Sequence, residues 1–134
     1  MATENDKILE SITKLIKLTQ QNKVQWSAAP FKSDSVLINN SQNIVGAIYK
    51  VLYKEQYLRL YKLRFKVNTF NDPLAAAFLG KPSFITKYIL EIINEEDVCL
   101  WTFPQVPSLV DLYTAVQFQV SGVTTLINKL LSEE

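Results

Sequence analysis

Apolar residues recur at helical spacing at the two ends of the chain. Near the N-terminus they fall three or four residues apart, with lysine and glutamate between them, and a longer stripe of the same kind lies near the C-terminus. The pattern predicts helices over residues 8–20 and 109–130. Glycine inside a helix costs about 1 kcal/mol relative to alanine, so we expect Ser121 and Gly122 to kink or split the second helix.

Both predicted helices begin near residues with the spacing of a capping box. Thr3 and Asp6 precede the first helix, and Ser108 and Asp111 open the second, just after a proline. In a capping box two side chains bond reciprocally to backbone N–H groups that have no partner within the helix. We therefore expect a side-chain cap at both starts.

The middle of the chain has the composition of β-strands. Four segments are rich in isoleucine, valine, tyrosine and phenylalanine, and the polar breaks within the first and last pairs are only about three residues long. Connections so short force antiparallel pairing, because a parallel return needs a dozen or more residues. The sequence thus predicts an α+β fold, an antiparallel β-meander of four to five strands with the N- and C-terminal helices packed on one face. The four segments are 44–54, 56–67, 84–94 and 97–103, and a further short strand is expected at 36–38.

The second strand contains a change of parity. From Tyr61 onward apolar residues alternate with Lys62, Arg64 and a further lysine, which predicts one buried and one wet face. The leucines at 58 and 60 have the opposite parity. Either a bulge shifts the register near Tyr61, or the strand is covered on both faces at its start.

Residues 68–83 form an insertion too long for a tight hairpin. The segment has its own helix signals, with Asp72 as N-cap and Gly80 as C-cap, and so predicts a short helix. The favoured interpretation is that this helix covers an open end of the sheet, since most such helices extend the core. The alternative is an exposed patch that binds a protein partner or a second copy of the chain. That patch would consist of Phe70, Leu74, Phe78, Leu79 and Phe84.

Charge is distributed unevenly along the chain. Between residues 50 and 87 there are eight basic residues and two acidic ones, although the formal net charge of the chain is only +1. Tyrosines lie among these cations, and aromatic rings with cations are what a sheet face needs to bind single-stranded nucleic acid. A solvated strand face is the favoured interpretation, because lysines also keep edges soluble. The alternative nucleic-acid face would consist of Arg59, Lys62, Arg64 and Lys66.

Composition removes most catalytic chemistry. The 134 residues include no histidine, one cysteine and three scattered glycines. Histidine is the commonest general base near neutral pH, so an enzyme is disfavoured, and neither a metal site nor a cofactor is expected. We expect Cys99 and Trp101 to lie in the core, since both belong to the apolar strand 97–103.

Length and hydropathy favour a single soluble domain over residues 1–134. The longest apolar run, residues 74–79, is far below the roughly 20 residues that span a membrane, and the polar first residues do not form a secretory signal. A cytoplasmic location without membrane contact is therefore expected.

Several short motifs resemble those of a loose group of small uncharacterised bacterial proteins. They are Lys23-Val24-Gln25-Trp26, Leu58-Arg59-Leu60-Tyr61-Lys62, Trp101 with Phe103-Pro104, Ser108-Leu109-Val110-Asp111-Leu112-Tyr113 and Gln119-Val120-Ser121-Gly122-Val123. The resemblance covers most of residues 8–131, with the 68–83 insertion outside the pattern. It implies a helix, an antiparallel meander, a C-terminal helix and a bacterial source, and it implies no particular chemistry.

The resulting hypothesis is a non-enzymatic module that binds another protein or itself. A module that binds single-stranded nucleic acid through its basic, tyrosine-containing sheet face is the alternative.

Overall fold

The computed structural model describes residues 3–29, 42–67 and 83–133. Within these ranges the chain forms three helices and five strands. In chain order they are α1 (Glu4–Gln20), β1 (Ser27–Ala29), β2 (Gln42–Tyr53), β3 (Gln56–Val67), β4 (Ser83–Ile93), β5 (Cys99–Thr102), α2 (Ser108–Ser121) and α3 (Val123–Ser132).

The strands form an antiparallel meander in the order β1-β2-β3-β4-β5, which confirms the predicted α+β class. Lys54 and Glu55 join β2 to β3 with φ values of 46° and 70°, as in the two-residue turns that match the twist of a hairpin. Strand β1, at 27–29, was not predicted. The predicted strand at 36–38 and the predicted helix from Asp72 to Gly80 lie outside the described residues.

Helices α1 and α2 share one face of the sheet, as the sequence predicts. Their buried side chains and those of the central strands form one apolar cluster, in which Leu60 and Leu90 are fully buried cross-strand neighbours. The apolar stripes of both helices are thereby removed from water, which supplies most of the stability of an amphipathic helix. From the helices the cluster includes Ile12, Leu15, Leu109, Leu112, Tyr113 and Val116.

The parity change in β3 arises because that strand is covered on both faces. Strands β3 and β4 pair without interruption over eleven residue pairs, so β3 itself has no bulge. The irregularity lies in β2, where Val45 pairs with Lys62 but Tyr49 pairs with Leu60. Gly46 lies there with a φ of 77°, and a Cβ atom at this position would come within 3.1 Å of the Tyr113 hydroxyl. A larger residue would be strained by both the backbone and the contact.

The observed helix ends agree only in part with those predicted from the sequence. Thr3 and Asp6 form the predicted capping box, and Gly122, with a φ of 71°, splits the C-terminal helix into α2 and α3 as expected. The predicted cap at Ser108 is wrong, because Pro107 occupies the cap position and Ser108 is the first helical residue.

Two residues expected in the core are exposed instead. Cys99 and Trp101 both belong to β5, an outermost strand whose four residues are all exposed. The Trp101 ring contacts Phe103 edge-on, with the centroids 4.7 Å apart. Apolar composition predicted a strand here, but burial requires a covering layer, and none of the described helices buries these side chains.

The amide of Gln119 links α2 to the end of α1. Its oxygen accepts a hydrogen bond from the Trp26 backbone N–H at 2.8 Å, and its nitrogen donates to the carbonyls of Val24 at 2.8 Å and Thr19 at 3.0 Å. The Trp26 indole N–H donates to the Thr19 hydroxyl at 3.0 Å. One side chain thus satisfies backbone groups of the segment that leads from α1 to β1.

Replacing this amide should destabilise the fold. We expect Gln119→Leu to lower the free energy of unfolding by about 1–3 kcal/mol, because partly buried backbone groups lose their partners. Urea denaturation measures the change. Gln117→Leu, an exposed position on the same helix, is the control and should stay within about 0.5 kcal/mol of wild type. Equal effects of the two substitutions would contradict the role of Gln119.

Candidate functional site

Helix α3 presents an apolar surface that none of the described elements buries. Four large apolar residues recur at helical spacing, and all of them are exposed: Leu126, Ile127, Leu130 and Leu131, with exposed fractions of 55, 43, 62 and 80%. We call these four residues the α3 stripe. No residue of α3 is buried, in contrast to α1 and α2. An amphipathic helix left open in this way is typical of an interaction surface.

The sequence does not distinguish α3 from a core helix. Residues 109–130 read as one stripe, which suggests one burial environment. Gly122, in the left-handed conformation, separates the two helices. Residues of α2 belong to the core cluster, whereas none of α3 does.

The face of the sheet opposite the helices carries a polar cluster of Arg59, Glu91, Lys50 and Asp97. Arg59 and Glu91 are cross-strand neighbours, only 2% and 6% exposed, and the Arg59 Nε donates to the Glu91 carboxylate at 2.9 Å. Arg59 Nη1 also donates to the Asp97 carbonyl at 3.1 Å, and Lys50 forms an ion pair with the Asp97 carboxylate. Each charge in the cluster has an opposite partner, as burial requires.

The β4–β5 turn folds so that Asp97 can reach this cluster. The Asn94 side chain accepts hydrogen bonds from the backbone N–H groups of Glu96 and Val98, and Asp97 adopts a φ of 64°. Asparagine favours such turns because its side chain can bond to nearby backbone. The turn thereby holds the Asp97 carboxylate beside Lys50.

Two other titratable groups face the cluster. Burial raises the pKa of the Tyr61 hydroxyl, and the Glu91 carboxylate beside it raises the pKa further. Partial desolvation also raises the pKa of the Cys99 thiol, while its hydrogen bond with Thr102 acts in the opposite direction. Cys99 is therefore a neutral thiol near neutral pH, which does not favour it as a nucleophile.

The residues of the predicted basic face do not all lie on one face. Arg59 has odd parity in β3 and belongs to the buried cluster, so grouping it with Lys62 and Arg64 was wrong. Lys62 is half-buried, with its ammonium 5.4 Å from the centre of the Tyr113 ring. Arg64 is exposed, with its guanidinium 4.1 Å from the centre of the Phe84 ring. The side chain of Lys66 lies outside the described residues.

Most of the predicted insertion patch also lies outside the described residues. Phe70, Leu74, Phe78 and Leu79 belong to that part of the chain, so their role in binding stays a prediction. Phe84 is described, and it is 48% exposed on β4. Phe84 and the α3 stripe belong to different elements, because Phe84 is in β4 and the stripe is in the C-terminal helix.

A groove of about 870 Å³ runs between α1 and α2 near the start of α3. Most of its lining residues are polar by type, among them threonines from both helices and Gln119, although they present both polar and apolar atoms to the groove. That amide is engaged in the contacts that hold the α1 end. Among the described residues, no group of three or more potential ligands is placed to hold a metal ion.

No protein-family model, curated protein or solved structure matches the chain. The resemblance to small bacterial proteins therefore stays a prediction. Of the helices described, none has the length and hydrophobicity needed to cross a bilayer.

The buried ion pair should depend on both of its members. We expect Glu91→Leu to lower the free energy of unfolding by about 3–5 kcal/mol, because it leaves the Arg59 charge buried without its carboxylate partner. The double change Arg59→Met with Glu91→Leu should recover most of the loss, since it removes both charges together. Chemical denaturation of the single and double variants measures the coupling, and strictly additive losses would contradict it.

Alkaline pH should destabilise the fold through Tyr61. Its pKa is raised in the folded state, so the unfolded chain releases this proton first, and stability falls as the pH rises above about 10, where tyrosine normally titrates. Tyr61→Phe should reduce the slope of unfolding free energy against pH in that range. Tyr57→Phe is the control, and an identical slope in the Tyr61 variant and wild type would contradict this origin.

Proposed function

We propose that the protein is a self-associating module and that its binding surface is the α3 stripe. The observation that carries the proposal is the exposure of all four apolar side chains of this stripe. A second copy of the chain is the partner. Two stripes packed about a two-fold axis form a closed, self-complementary contact, which is the commonest symmetry of soluble oligomers.

The electrostatics of α3 favour an antiparallel pair. The one charged residue of the helix, Lys129, falls outside the stripe by helical spacing, so pairing does not require its burial. Antiparallel packing also brings Glu133, just beyond the helix, towards the N-terminal end of the partner helix. A carboxylate is favourable there because the helix dipole is positive at that end.

The area of the stripe supports a weak dimer. Fully burying a leucine or isoleucine contributes about 1.5–3 kcal/mol, so the exposed fractions of the two stripes together would contribute about 7–14 kcal/mol. Association costs about 4–15 kcal/mol in lost freedom of motion. The two ranges overlap, so we expect dimers whose population depends on concentration over the micromolar range.

A charge placed in the stripe should abolish self-association without unfolding the protein. In sedimentation experiments we expect the average molecular mass of the wild-type protein to rise with its concentration. The Leu130→Asp variant should stay monomeric, and its thermal midpoint should be nearly unchanged. Leu130 is exposed in the monomer, so the new charge remains solvated there.

Asn128→Asp provides the matched control for this experiment. It adds the same charge to the same helix at an exposed position outside the stripe, and should dimerise like wild type. A wild-type protein that stays monomeric at high concentration would refute the proposal. So would a Leu130→Asp variant that dimerises as well as Asn128→Asp.

A further inference from the structure

Strand β4 has an outer edge that is only partly paired. On this side the Phe103 backbone N–H donates to the Leu90 carbonyl at 2.8 Å, and the Gln105 side-chain amide donates to the Tyr88 carbonyl at 2.8 Å. Backbone groups on one side of a strand repeat every second residue. Towards the N-terminus of β4, the next backbone N–H and C=O groups on the same side as the Leu90 and Tyr88 carbonyls therefore belong to Thr86 and Phe84.

Within the described ranges, no strand pairs with the outer edge of β4 at Phe84 and Thr86. Strand β5 pairs only with residues 91–93 of β4, and the Gln105 amide ends the row of donors at Tyr88. The four side chains from Phe84 to Lys87 are all exposed. A strand edge of this kind presents alternating N–H and C=O groups to another chain.

The two faces beside this edge differ in chemistry. On the helix face, Arg64 reaches from β3 over the Phe84 ring, so its positive charge lies close to the edge. On the opposite face, the exposed Ile85 lies along β4 from Ile89, which belongs to a small apolar cluster with Tyr61 and Ile48. Lys87 lies on this face between Ile85 and Ile89, with its ammonium 5.3 Å from the centre of the Phe65 ring. Residues 56–67 and 83–90 contain no aspartate or glutamate.

We infer that the edge of β4 at Phe84–Lys87 binds an extended peptide segment as an additional strand. The segment has acidic residues on the side of Arg64 and apolar residues on the side of Ile85. Main-chain hydrogen bonds to Thr86 and Phe84 provide the affinity, and the alternation of side chains provides the specificity. This surface is separate from the α3 stripe, so the inference goes beyond the proposed self-association.

The charge of the edge favours an acidic peptide over two other occupants. A second copy of β4 would place the positive charges of Arg64 and Lys87 on both sides of the contact, whereas an acidic peptide brings opposite charge to this edge. A single-stranded nucleic acid would need an open ring face for base stacking, whereas the guanidinium of Arg64 already lies over the Phe84 ring.

The test measures binding of residues 1–134 to labelled synthetic peptides by fluorescence anisotropy. The probe is a capped peptide of alternating glutamate and valine. Binding of a peptide of alternating lysine and valine and of an oligo-dT strand is measured separately for comparison. We expect the acidic peptide to bind at least about tenfold more tightly than the basic one, with an affinity that falls as salt is added.

Two changes test the main-chain contacts. Thr86→Pro removes an outward N–H, which a strand tolerates at an edge, and should weaken binding roughly tenfold relative to Thr86→Val, which keeps it. A glutamate–valine peptide N-methylated at alternate amides should lose binding to the unaltered protein. This second measurement holds even if the proline variant does not fold.

Arg64→Gln tests the charge. This substitution should weaken binding of the acidic peptide and make its affinity depend less on salt concentration. Leu130→Asp, which alters only the α3 stripe, should leave peptide binding unchanged. Equal binding of the acidic and basic peptides would overturn the inference. Full binding of the N-methylated peptide, or tight binding of oligo-dT without peptide binding, would overturn it as well.

Discussion

The ion pair between Arg59 and Glu91 determines how the second face of the sheet is stabilised. Both described helices that pack on the sheet lie on the other face, so among the described elements no helix covers the buried arginine on this face. The guanidinium of Arg59 can be buried there because Glu91 lies directly opposite on β4, and because the β4–β5 turn supplies the Asp97 carbonyl. A one-residue slip between β3 and β4 would move the two charges to opposite faces. The pair therefore also specifies the register of the longest strand pairing described in the protein.

Two surfaces of the described structure remain exposed outside the core. Helices α1 and α2 cover the centre of one face, and the Gln119 amide holds the end of α1 and the Trp26 segment to α2. Beyond that centre, the α3 stripe and the outer edge of β4 remain exposed. One is apolar and suited to an identical surface, while the other combines backbone groups with positive charge. Because their chemistry differs, we propose a different partner for each.

Sequence patterns located these surfaces only in part. Period-two spacing already places Arg59 and Lys62 on opposite faces of a strand, so strict use of parity would have separated Arg59 from the basic group. Phe84, which belonged to the alternative exposed patch, is exposed in the structure, and its predicted companions lie outside the described residues. The α3 stripe was taken as core, because an apolar helical pattern shows which side needs cover and does not show what covers it.

The sequence by itself determined the class of the fold, the antiparallel pairing and the position of the break at Gly122. Short polar connections permit only antiparallel neighbours, and a glycine after a helical stripe readily adopts the left-handed conformation that ends a helix. Only the tertiary structure decided that Arg59 is buried, that Trp101 is exposed and that α3 has no cover among the described elements. These outcomes depend on which elements meet in space, and contacts between residues distant in sequence leave no local periodic pattern.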